Sequence, residues 1–328
     1  MGDTILEIKD LRVLFPSHGS WLPAVDGVNF SVGEGEIIGI VGESGSGKSV
    51  MSKTILRLLD FSSNARYEGQ ILFEGRDILA MSGKELRALR GNDISMIFQD
   101  PLNSLSPVHT VAKQLTEVLV LHDGLNRREA RVQAEEMLAL TGISDAHGCM
   151  EKYPFELSGG MQQRVMIAMA LACKPKLLIA DEPTTALDVT IQQQILYLIR
   201  QLKRKLGMSV LFITHDMGVV AQLCDSIKVM YLGQVVEDAD TQELFDSPLH
   251  PYTRGLLECI PHLETDRDRP LATIEGTVPP LSKVPAGCHF CTRCAQAHDA
   301  CREGVPPLVE VRAGHFVKCW DCPAAGEV

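Results

Sequence analysis

A short glycine-rich segment ends in a lysine and a serine, residue types that together can bind phosphate and a divalent cation. The segment, called the phosphate loop below, reads Gly42-Glu43-Ser44-Gly45-Ser46-Gly47-Lys48-Ser49, with Val50 next, and it fits the pattern G-x-x-x-x-G-K-S/T. The glycines let backbone N–H groups converge on phosphate oxygens. Lys48 would reach the β- and γ-phosphates of a nucleotide, and the Ser49 hydroxyl would ligate Mg²⁺. A predicted strand before the loop and a predicted helix after it favour phosphate binding over a ligand-free turn.

Two adjacent carboxylates follow an apolar run. Leu177–Ala180 predicts a buried strand, and Asp181 and Glu182 come directly after it. Open α/β sheets bind ligands at the carboxyl ends of their strands. Asp181 suits the Mg²⁺ shell, and Glu182 could polarise an attacking water as general base. Alone, such a strand end is more typical of solvated acids, but together with the phosphate loop it indicates nucleotide hydrolysis.

A serine followed by two glycines opens a predicted helix that runs to about Ala172. The residues, called the signature segment below, are Leu157-Ser158-Gly159-Gly160-Met161-Gln162-Gln163. Ser158 is a good N-cap, and its hydroxyl together with the following N–H groups can form an anion site. From physical chemistry alone, a plain capped helix with a glycine hinge is favoured here.

The ten cysteines are unevenly distributed. Four are scattered singly: Cys149, Cys173, Cys224 and Cys259. The other six follow residue 287: Cys288, Cys291, Cys294, Cys301, Cys319 and Cys322. Four thiolates bound to one metal group would supply the core that this segment lacks. The two C-x-x-C pairs also suit tetrahedral Zn²⁺, and free thiols are the third possibility.

The elements that must hold these residues alternate between strands and helices over about the first 240 residues. Five short apolar runs predict strands buried on both faces of a mainly parallel sheet: Glu36–Val41, Ile94–Phe98, Leu177–Ala180, Ser209–Ile213 and Ser226–Tyr231. Three alternating runs predict an antiparallel subdomain: Leu6–Phe15, Gly27–Val32 and Gly69–Phe73. A helical insertion is expected at about residues 100–160, because Asp123–Glu151 is helix-rich and holds no strand candidate. The fold class is therefore α/β.

The alternation ends after Tyr231. Ser247–Tyr252 contains two prolines that break the chain, and Thr253–Ile260 predicts one short helix. From Pro261 the sequence is rich in Pro, Gly and Cys and has little periodicity, which predicts an irregular segment. We therefore expect one domain over residues 1–250 and an extension over residues 251–328, called the tail below.

Charge and hydropathy narrow the class of protein further. The 328 residues include 31 Lys+Arg and 42 Asp+Glu, which gives a formal net charge of −11. This balance argues against a groove for nucleic-acid phosphates, which needs clustered Lys and Arg. No apolar run approaches the ~18 residues that cross a bilayer, and the start has acids where a secretory signal needs cations. We therefore expect a cytosolic chain.

Taken together, the motifs resemble the ATP-binding subunit of an ABC transporter, over about residues 4–260. The matching residues are the phosphate loop, the signature segment, Asp181-Glu182 with Ala186-Leu187-Asp188 after it, Gln99 as the Q-loop and His215 as the switch histidine. The fold implied is a cassette with a mainly parallel core sheet, an antiparallel β-subdomain and a helical subdomain.

The resemblance implies a head-to-tail dimer of cassettes with two ATP molecules between them. Each site would combine one subunit's phosphate loop with the partner's signature segment, through Ser158, Gly159, Gly160 and Gln162. Gln99 would sense the γ-phosphate and join Ser49 and Asp181 around Mg²⁺. His215 would contact the γ-phosphate and the attacking water, and Phe15, or else Trp21, would stack on adenine.

The tail is similar to that of oligopeptide, dipeptide and nickel importer ATPases. The similarity rests on Ser247-Pro248-Leu249-His250-Pro251-Tyr252-Thr253 and on Gly287-Cys288-x-Phe290-x-x-Arg293-Cys294, with Cys301 and Val317-Lys318-Cys319-Trp320 after them. In that family the cysteines matching Cys288, Cys294, Cys301 and Cys319 are implied to bind an iron–sulfur cluster of the 4Fe-4S type. Cys291 and Cys322 depart from the pattern, which keeps Zn²⁺ as the alternative.

These resemblances predict an ATP-hydrolysing subunit that drives import of short peptides. The implied partners are two membrane permease subunits, a second homologous ATPase or a copy of this chain, and an extracellular solute-binding protein, with no nucleic acid. The expected location is the cytoplasmic face of the cell membrane, as a peripheral subunit. The alternatives are an importer of nickel or another small solute, a soluble ABC ATPase of DNA repair or translation, and a regulatory nucleotide binder.

Overall fold

The computed structural model describes residues 3–17, 19–61, 64–100, 104–185, 187–260 and 272–322. The chain forms two compact units. The first unit comprises residues 1–5, 33–36 and 80–213, and the second comprises residues 6–32, 37–79 and 214–328. Ala186 and the start of the predicted irregular segment, residues 261–271, lie outside the described residues.

Strands and helices alternate along most of the described chain. The strands are β1 Thr4–Ser17, β2 Ser20–Gly33, β3 Ile37–Val41, β4 Arg66–Phe73, β5 Arg76–Asp77, β6 Ile94–Ile97, β7 Leu177–Asp181, β8 Ser209–Thr214, β9 Ser226–Tyr231, β10 Gln234–Asp240, β11 Val309–Arg312 and β12 His315–Val317. The helices are α1 Lys48–Ile55, α2 Gly83–Leu89, α3 Val111–His122, α4 Arg127–Leu140, α5 Ala146–Met150, α6 Gly159–Leu171, α7 Val189–Leu206, α8 Met217–Leu223, α9 Thr241–Asp246, α10 Pro251–Glu258 and α11 Asp299–Glu303. None of these described helices has the length and apolar character needed to span a lipid bilayer.

Three parallel strands lie at the centre of the first unit, in the order β6-β7-β8. Ile94 pairs with Leu177, and Leu177 pairs in turn with Ser209. Every residue of these strands is buried, which explains why their sequences are almost continuously apolar instead of alternating. The three strands predicted here are confirmed to within one residue at each end.

The described elements between β6 and β7 are all helical. α4 packs against α3, α5 and α6. It begins at Asn126, whose side chain accepts hydrogen bonds from the backbone N–H groups of Arg128 and Glu129 in a capping box. Its buried face repeats every four residues at Ala130, Ala134 and Leu138, the spacing of an amphipathic helix.

The second unit contains two groups of strands. In the first group, ordered β2-β1-β4-β5, β1 and β4 run antiparallel with Leu6 opposite Phe73. In the second group, β3 pairs in parallel with β9, and β9 pairs antiparallel with β10. The predicted antiparallel strands and the predicted strand over Ser226–Tyr231 are therefore confirmed.

Most of the described tail after residue 271 is irregular as predicted, with neither helix nor strand over residues 272–280 and 284–298. Two short strands that the sequence does not predict extend the second group. β12 pairs with β10, with Glu237 opposite Val317, and β11 pairs with β12. The two strands have only 4 and 3 residues, which is too short for a periodic sequence pattern. β10, the second partner of β12, is distant in the sequence, so that only the folded chain supplies this pairing.

Candidate functional site

The phosphate loop connects β3 to α1 in the second unit. Its glycines have φ angles of 152° at Gly42, 84° at Gly45 and 98° at Gly47, which residues with a side chain rarely adopt. A β-carbon at Gly42 would overlap the carbonyl oxygen of Met230, and one at Gly47 would come within 2.5 Å of the carbonyl oxygen of Ala24. Packing as well as backbone conformation therefore requires glycine at both positions.

Lys48, the first residue of α1, turns its amine back into the loop. Its Nζ donates to the carbonyl oxygens of Gly42 at 2.7 Å and Glu43 at 2.9 Å, and to the Ser46 hydroxyl at 3.2 Å. The Lys48 side chain is buried. An ammonium group held inside the loop in this way can meet phosphate oxygens that enter it.

Five other predicted site residues of the second unit are at least partly exposed. Ser49 and Val50 lie in the first turn of α1. Phe15 is partly exposed on β1, and Trp21 is exposed at the start of β2. His215 is exposed and directly follows β8. Each of these side chains is therefore accessible to a ligand.

Two predicted site residues of the first unit are in direct contact. Gln99 Nε2 donates to Glu182 Oε2 at 2.9 Å, and the Thr185 hydroxyl donates to the same oxygen at 2.9 Å. The contact arises because β6 and β7 are parallel neighbours whose carboxyl ends meet at one edge of the sheet. Two donors thus orient the Glu182 carboxylate, which suits a group that must face an attacking water.

Glu182 also has an uncommon backbone conformation, with a φ angle of 48°. A non-glycine residue in this region costs about 1–2 kcal/mol, and such residues cluster at functional sites. Its N–H donates to the carbonyl oxygen of Ile213 at 2.9 Å, which holds the strained turn in place. Asp181, the last residue of β7, is buried beside it.

The signature segment opens α6 as the sequence predicts. Ser158 is the N-cap, and its Oγ accepts a hydrogen bond from the Met161 N–H at 3.4 Å. Ser158 and Gly159 are exposed and Gly160 is partly exposed. The start of this helix is therefore open to an anionic ligand.

Two glutamines of the signature segment point into the protein. Gln162 Nε2 donates to the carbonyl oxygens of Pro154 at 2.8 Å and Leu157 at 3.2 Å, so that its amide group holds the turn before α6. Gln163 Nε2 donates to the carbonyl oxygen of Pro183, one residue after Glu182. The sequence gives no sign of this role of Gln163, because a contact to a distant backbone carbonyl leaves no local pattern.

The tail cysteines lie near one another in the second unit. The Cys288 N–H donates to the carbonyl oxygen of Cys301 at 2.8 Å. Burial raises the pKa of Cys288 to about 11, and the neighbouring Cys291, Cys301 and Cys319 add to the rise. Within the described ranges, however, no three His, Cys, Asp or Glu side chains are positioned to hold a metal ion. As placed here, the thiols do not fit a metal centre.

Two family models match the chain. The first, described as "ABC transporter", matches residues 25–185, which include the phosphate loop, Gln99, the signature segment and Glu182. The second, described as "Oligopeptide/dipeptide transporter, C-terminal region", matches residues 236–301, which include most of the second unit after β9.

Similar proteins match along almost the whole chain. The "Probable peptide ABC transporter ATP-binding protein y4tR" of Sinorhizobium fredii is 51% identical over 97% of this chain and 95% of its own length. The "Oligopeptide transport ATP-binding protein AppD" of Bacillus subtilis is 48% identical over 97% of this chain and 96% of its own length.

Solved structures match the same architecture. A dimeric ATP-binding cassette bound to ADP and Pi is 29% identical, with a TM-score of 0.64 over 72% of this chain and 98% of that chain. The cbiO1 protein of Clostridium perfringens, part of the ABC transporter complex cbiONQ, is 30% identical, with a TM-score of 0.63 over 75% of this chain and 92% of that chain.

The fold and the phosphate loop thus define the class of ATP-binding cassettes. The chain belongs to the ABC transporter ATP-binding proteins, in the group whose similar members are named for peptide and oligopeptide transport.

Proposed function

We infer that this chain is the ATP-hydrolysing subunit of an ABC importer that takes up short peptides. This conclusion rests on the similarity to peptide-transport ATP-binding proteins, which are 48–51% identical to this chain over nearly its full length. The phosphate loop between β3 and α1 supplies the ATP site, as in other members of the family. No relative named above is an ATPase of DNA repair or translation, so that alternative gains no support.

We propose that the residues of one chain divide the chemistry of hydrolysis among them. Lys48 and the loop N–H groups bind the β- and γ-phosphates. Ser49, Asp181 and Gln99 would hold Mg²⁺, which would neutralise charge on the phosphates. Glu182 acts as general base toward the attacking water, supported by its hydrogen bonds from Gln99 and Thr185. His215 contacts the γ-phosphate, and Phe15 stacks on adenine.

We further propose that two cassettes are needed for each hydrolysis event. The chain has one phosphate loop and one signature segment. In the proposed dimer, the exposed Ser158 and Gly159 of one subunit face the ATP held by the other, with Gln162 fixing the turn that presents them. The second cassette is a homologous ATPase or a copy of this chain, and a cassette in the same family has been solved as a dimer.

The remaining partners follow from the transporter class. We propose that two permease subunits bind the cassette pair at the cytoplasmic face of the membrane and that an extracellular solute-binding protein delivers the peptide. We also propose that the cassette ends near residue 250 and that residues 251–328 form a C-terminal extension, whose strand β12 pairs with β10.

Replacing Glu182 by Gln tests the proposed base. Glu182→Gln keeps the side-chain size but removes the carboxylate that accepts the water proton, so that steady-state hydrolysis should fall at least about 100-fold while ATP still binds. Phosphate release by the purified transporter measures hydrolysis, and its nucleotide content measures ATP binding. Glu136→Gln, at an exposed carboxylate on α4, is the matched control and should hydrolyse ATP like the wild type.

Uptake by cells tests the proposed solute. A strain lacking this chain should lose uptake of labelled di- or oligopeptides, and the wild-type gene should restore it whereas the Glu182→Gln gene should not. Normal peptide uptake together with lost nickel uptake would contradict the peptide assignment and favour the nickel importer.

ATP turnover by Glu182→Gln equal to that of the wild type would refute the role of Glu182 as general base.

We propose separately that tail thiols bind an iron–sulfur cluster, with zinc as the alternative. The support is the sequence pattern at Cys288, Cys294, Cys301 and Cys319 and the proximity of these residues in the second unit. Against it stands the absence, among the described residues, of three His, Cys, Asp or Glu side chains placed to hold a metal ion. No step of ATP hydrolysis is assigned to this group.

Metal analysis of anaerobically purified full-length protein tests this proposal. We expect iron and acid-labile sulfide with visible absorption, and we expect Cys288→Ser to lose them. Cys259→Ser, at a cysteine outside the pattern, is the control and should keep them. Zinc without iron would establish the alternative, and protein free of both metals would refute cysteine-bound metal in the tail.

A further inference from the structure

An arginine of the tail binds the phosphate loop. Arg293 Nη1 lies 2.6 Å from Glu43 Oε2, and Nη2 lies 3.1 Å from Glu43 Oε1. Glu43 is the second residue of the loop, directly after Gly42. The pair is bidentate, so that the planar guanidinium fixes both the position and the plane of the carboxylate.

Arg293 is itself rigidly held. Its side chain is only 3% exposed, against 31% for Glu43. Its Nε donates to the carbonyl oxygen of Glu275 at 2.9 Å, and Nη2 also donates to that of Ile274 at 3.2 Å. The guanidinium carbon lies 5.8 Å from the ring centroid of Tyr231, within cation–π range. Arg293 therefore acts on the loop as a fixed anchor.

An aromatic cluster brings the tail to this place. The rings of Tyr231 at the end of β9, Tyr252 on α10 and Phe290 in the tail lie 4.7–5.3 Å apart between centroids. The Arg293 N–H donates to the carbonyl oxygen of Phe290 at 3.0 Å, so that the turn carrying Arg293 is tied to the cluster. The position of Arg293 thus depends on the packing of three elements and not on the tail alone.

Glu43 is consequently held at three points. Arg293 binds its carboxylate, the Tyr252 hydroxyl accepts its backbone N–H at 2.8 Å, and its carbonyl oxygen accepts Lys48 Nζ at 2.9 Å. Lys48 is the residue proposed to reach the phosphates of ATP. Any shift of Glu43 would therefore change the position of the loop backbone around Lys48.

Charge gives the contact a second consequence. Glu43 places a carboxylate on a loop that must bind a triphosphate, and like charges repel at short range. Because Arg293 is always protonated and pairs with both carboxylate oxygens, it compensates this charge. We propose that Arg293 is a positioning residue for nucleotide binding: it neutralises Glu43 and fixes the phosphate loop, so that the tail sets the affinity for ATP. This inference rests on the proposed function, in that the loop binds ATP.

Nucleotide dissociation constants of the full-length chain test the inference. Arg293→Gln leaves the Glu43 charge uncompensated, so that ATP affinity should fall on the order of tenfold, ADP affinity less and AMP affinity least. Arg293→Lys keeps the charge but not the bidentate geometry. Its ATP affinity should therefore lie between those of the wild type and Arg293→Gln. Arg302→Gln, at an exposed arginine on α11, is the matched control and should bind all three nucleotides like the wild type.

The double variant Glu43→Gln with Arg293→Gln distinguishes an effect of the Glu43 charge on ATP binding from misfolding of the tail. Removing the uncompensated carboxylate should return the ATP dissociation constant to within about threefold of the wild-type value. Unchanged ATP affinity in Arg293→Gln would overturn the inference. An equal loss of affinity for ATP, ADP and AMP that the double variant does not reverse would also overturn it, because that result indicates a misfolded tail. Wild-type protein that does not bind ATP would refute the proposed function itself.

Discussion

At the scale of single residues, neighbouring glycines of the phosphate loop are restricted differently. Gly45 and Gly47 both have positive φ angles, 84° and 98°. A β-carbon at Gly45 meets no atom within 4 Å, whereas one at Gly47 comes within 2.5 Å of the Ala24 carbonyl oxygen. The two positions therefore share the conformational cost of a side chain, but only Gly47 adds a steric cost.

We expect Gly47→Ala to lower the free energy of unfolding by about 3 kcal/mol, and Gly45→Ala by about 1 kcal/mol. The left-handed conformation accounts for the smaller value, and overlap with rigid backbone accounts for the difference. Urea unfolding of the two variants and the wild type measures both values. Equal destabilisation by the two substitutions would show that conformation alone requires glycine at position 47.

At the scale of elements, the start of α10 depends on a buried histidine. His250 is the N-cap, and its Nδ1 accepts the Tyr252 N–H at 3.0 Å. The backbone N–H of His250 donates in turn to the buried carboxylate of Glu237 at 3.0 Å. Burial lowers the pKa of His250 to about 3, with Arg254 adding to the effect. The imidazole is therefore neutral in the folded protein at neutral pH.

This pKa predicts a loss of stability in acid. In the unfolded chain His250 gains its proton near pH 6.5, whereas the folded chain resists protonation down to about pH 3. The unfolded state thus binds more protons between these values, and folding stability falls as the pH falls. The expected contribution of His250 is about 2 kcal/mol between pH 7 and pH 5.

Replacing His250 by Asn isolates this contribution, because Asn also caps helices but does not titrate. Urea unfolding at several pH values should give a shallower decline for His250→Asn than for the wild type. His147→Asn, at an imidazole on α5 that is 73% exposed, is the control and should follow the wild-type decline. A decline in His250→Asn as steep as that of the wild type would refute the assignment.

At the scale of the whole molecule, both compact units carry residues of the proposed ATPase. Gln99, the signature segment and Glu182 belong to the first unit, and the phosphate loop, His215 and the tail belong to the second. The chain contains each motif once. The contact between Arg293 and Glu43 adds the tail to the parts on which ATP binding depends.

Much of the fold was predictable because local signals agree with the tertiary structure. The buried parallel strands β6, β7 and β8 have short, nearly continuous apolar sequences, which are typical of strands buried on both faces of a sheet. The capping box at Asn126 marks the start of α4 through contacts within four residues. The strands β11 and β12 were missed because both are too short for a periodic pattern and because β12 pairs with the distant β10.

The phosphate loop, the acidic end of β7 and the capped start of α6 follow from the amino-acid sequence, because each depends on residue types at fixed spacing. The sequence also indicated the family, since those motifs occur together and in order. Only in the folded chain do Gln99 and Glu182 meet, and only there does Arg293 bind Glu43. Such contacts join segments far apart in the chain, so that they exist only once packing has brought those segments together.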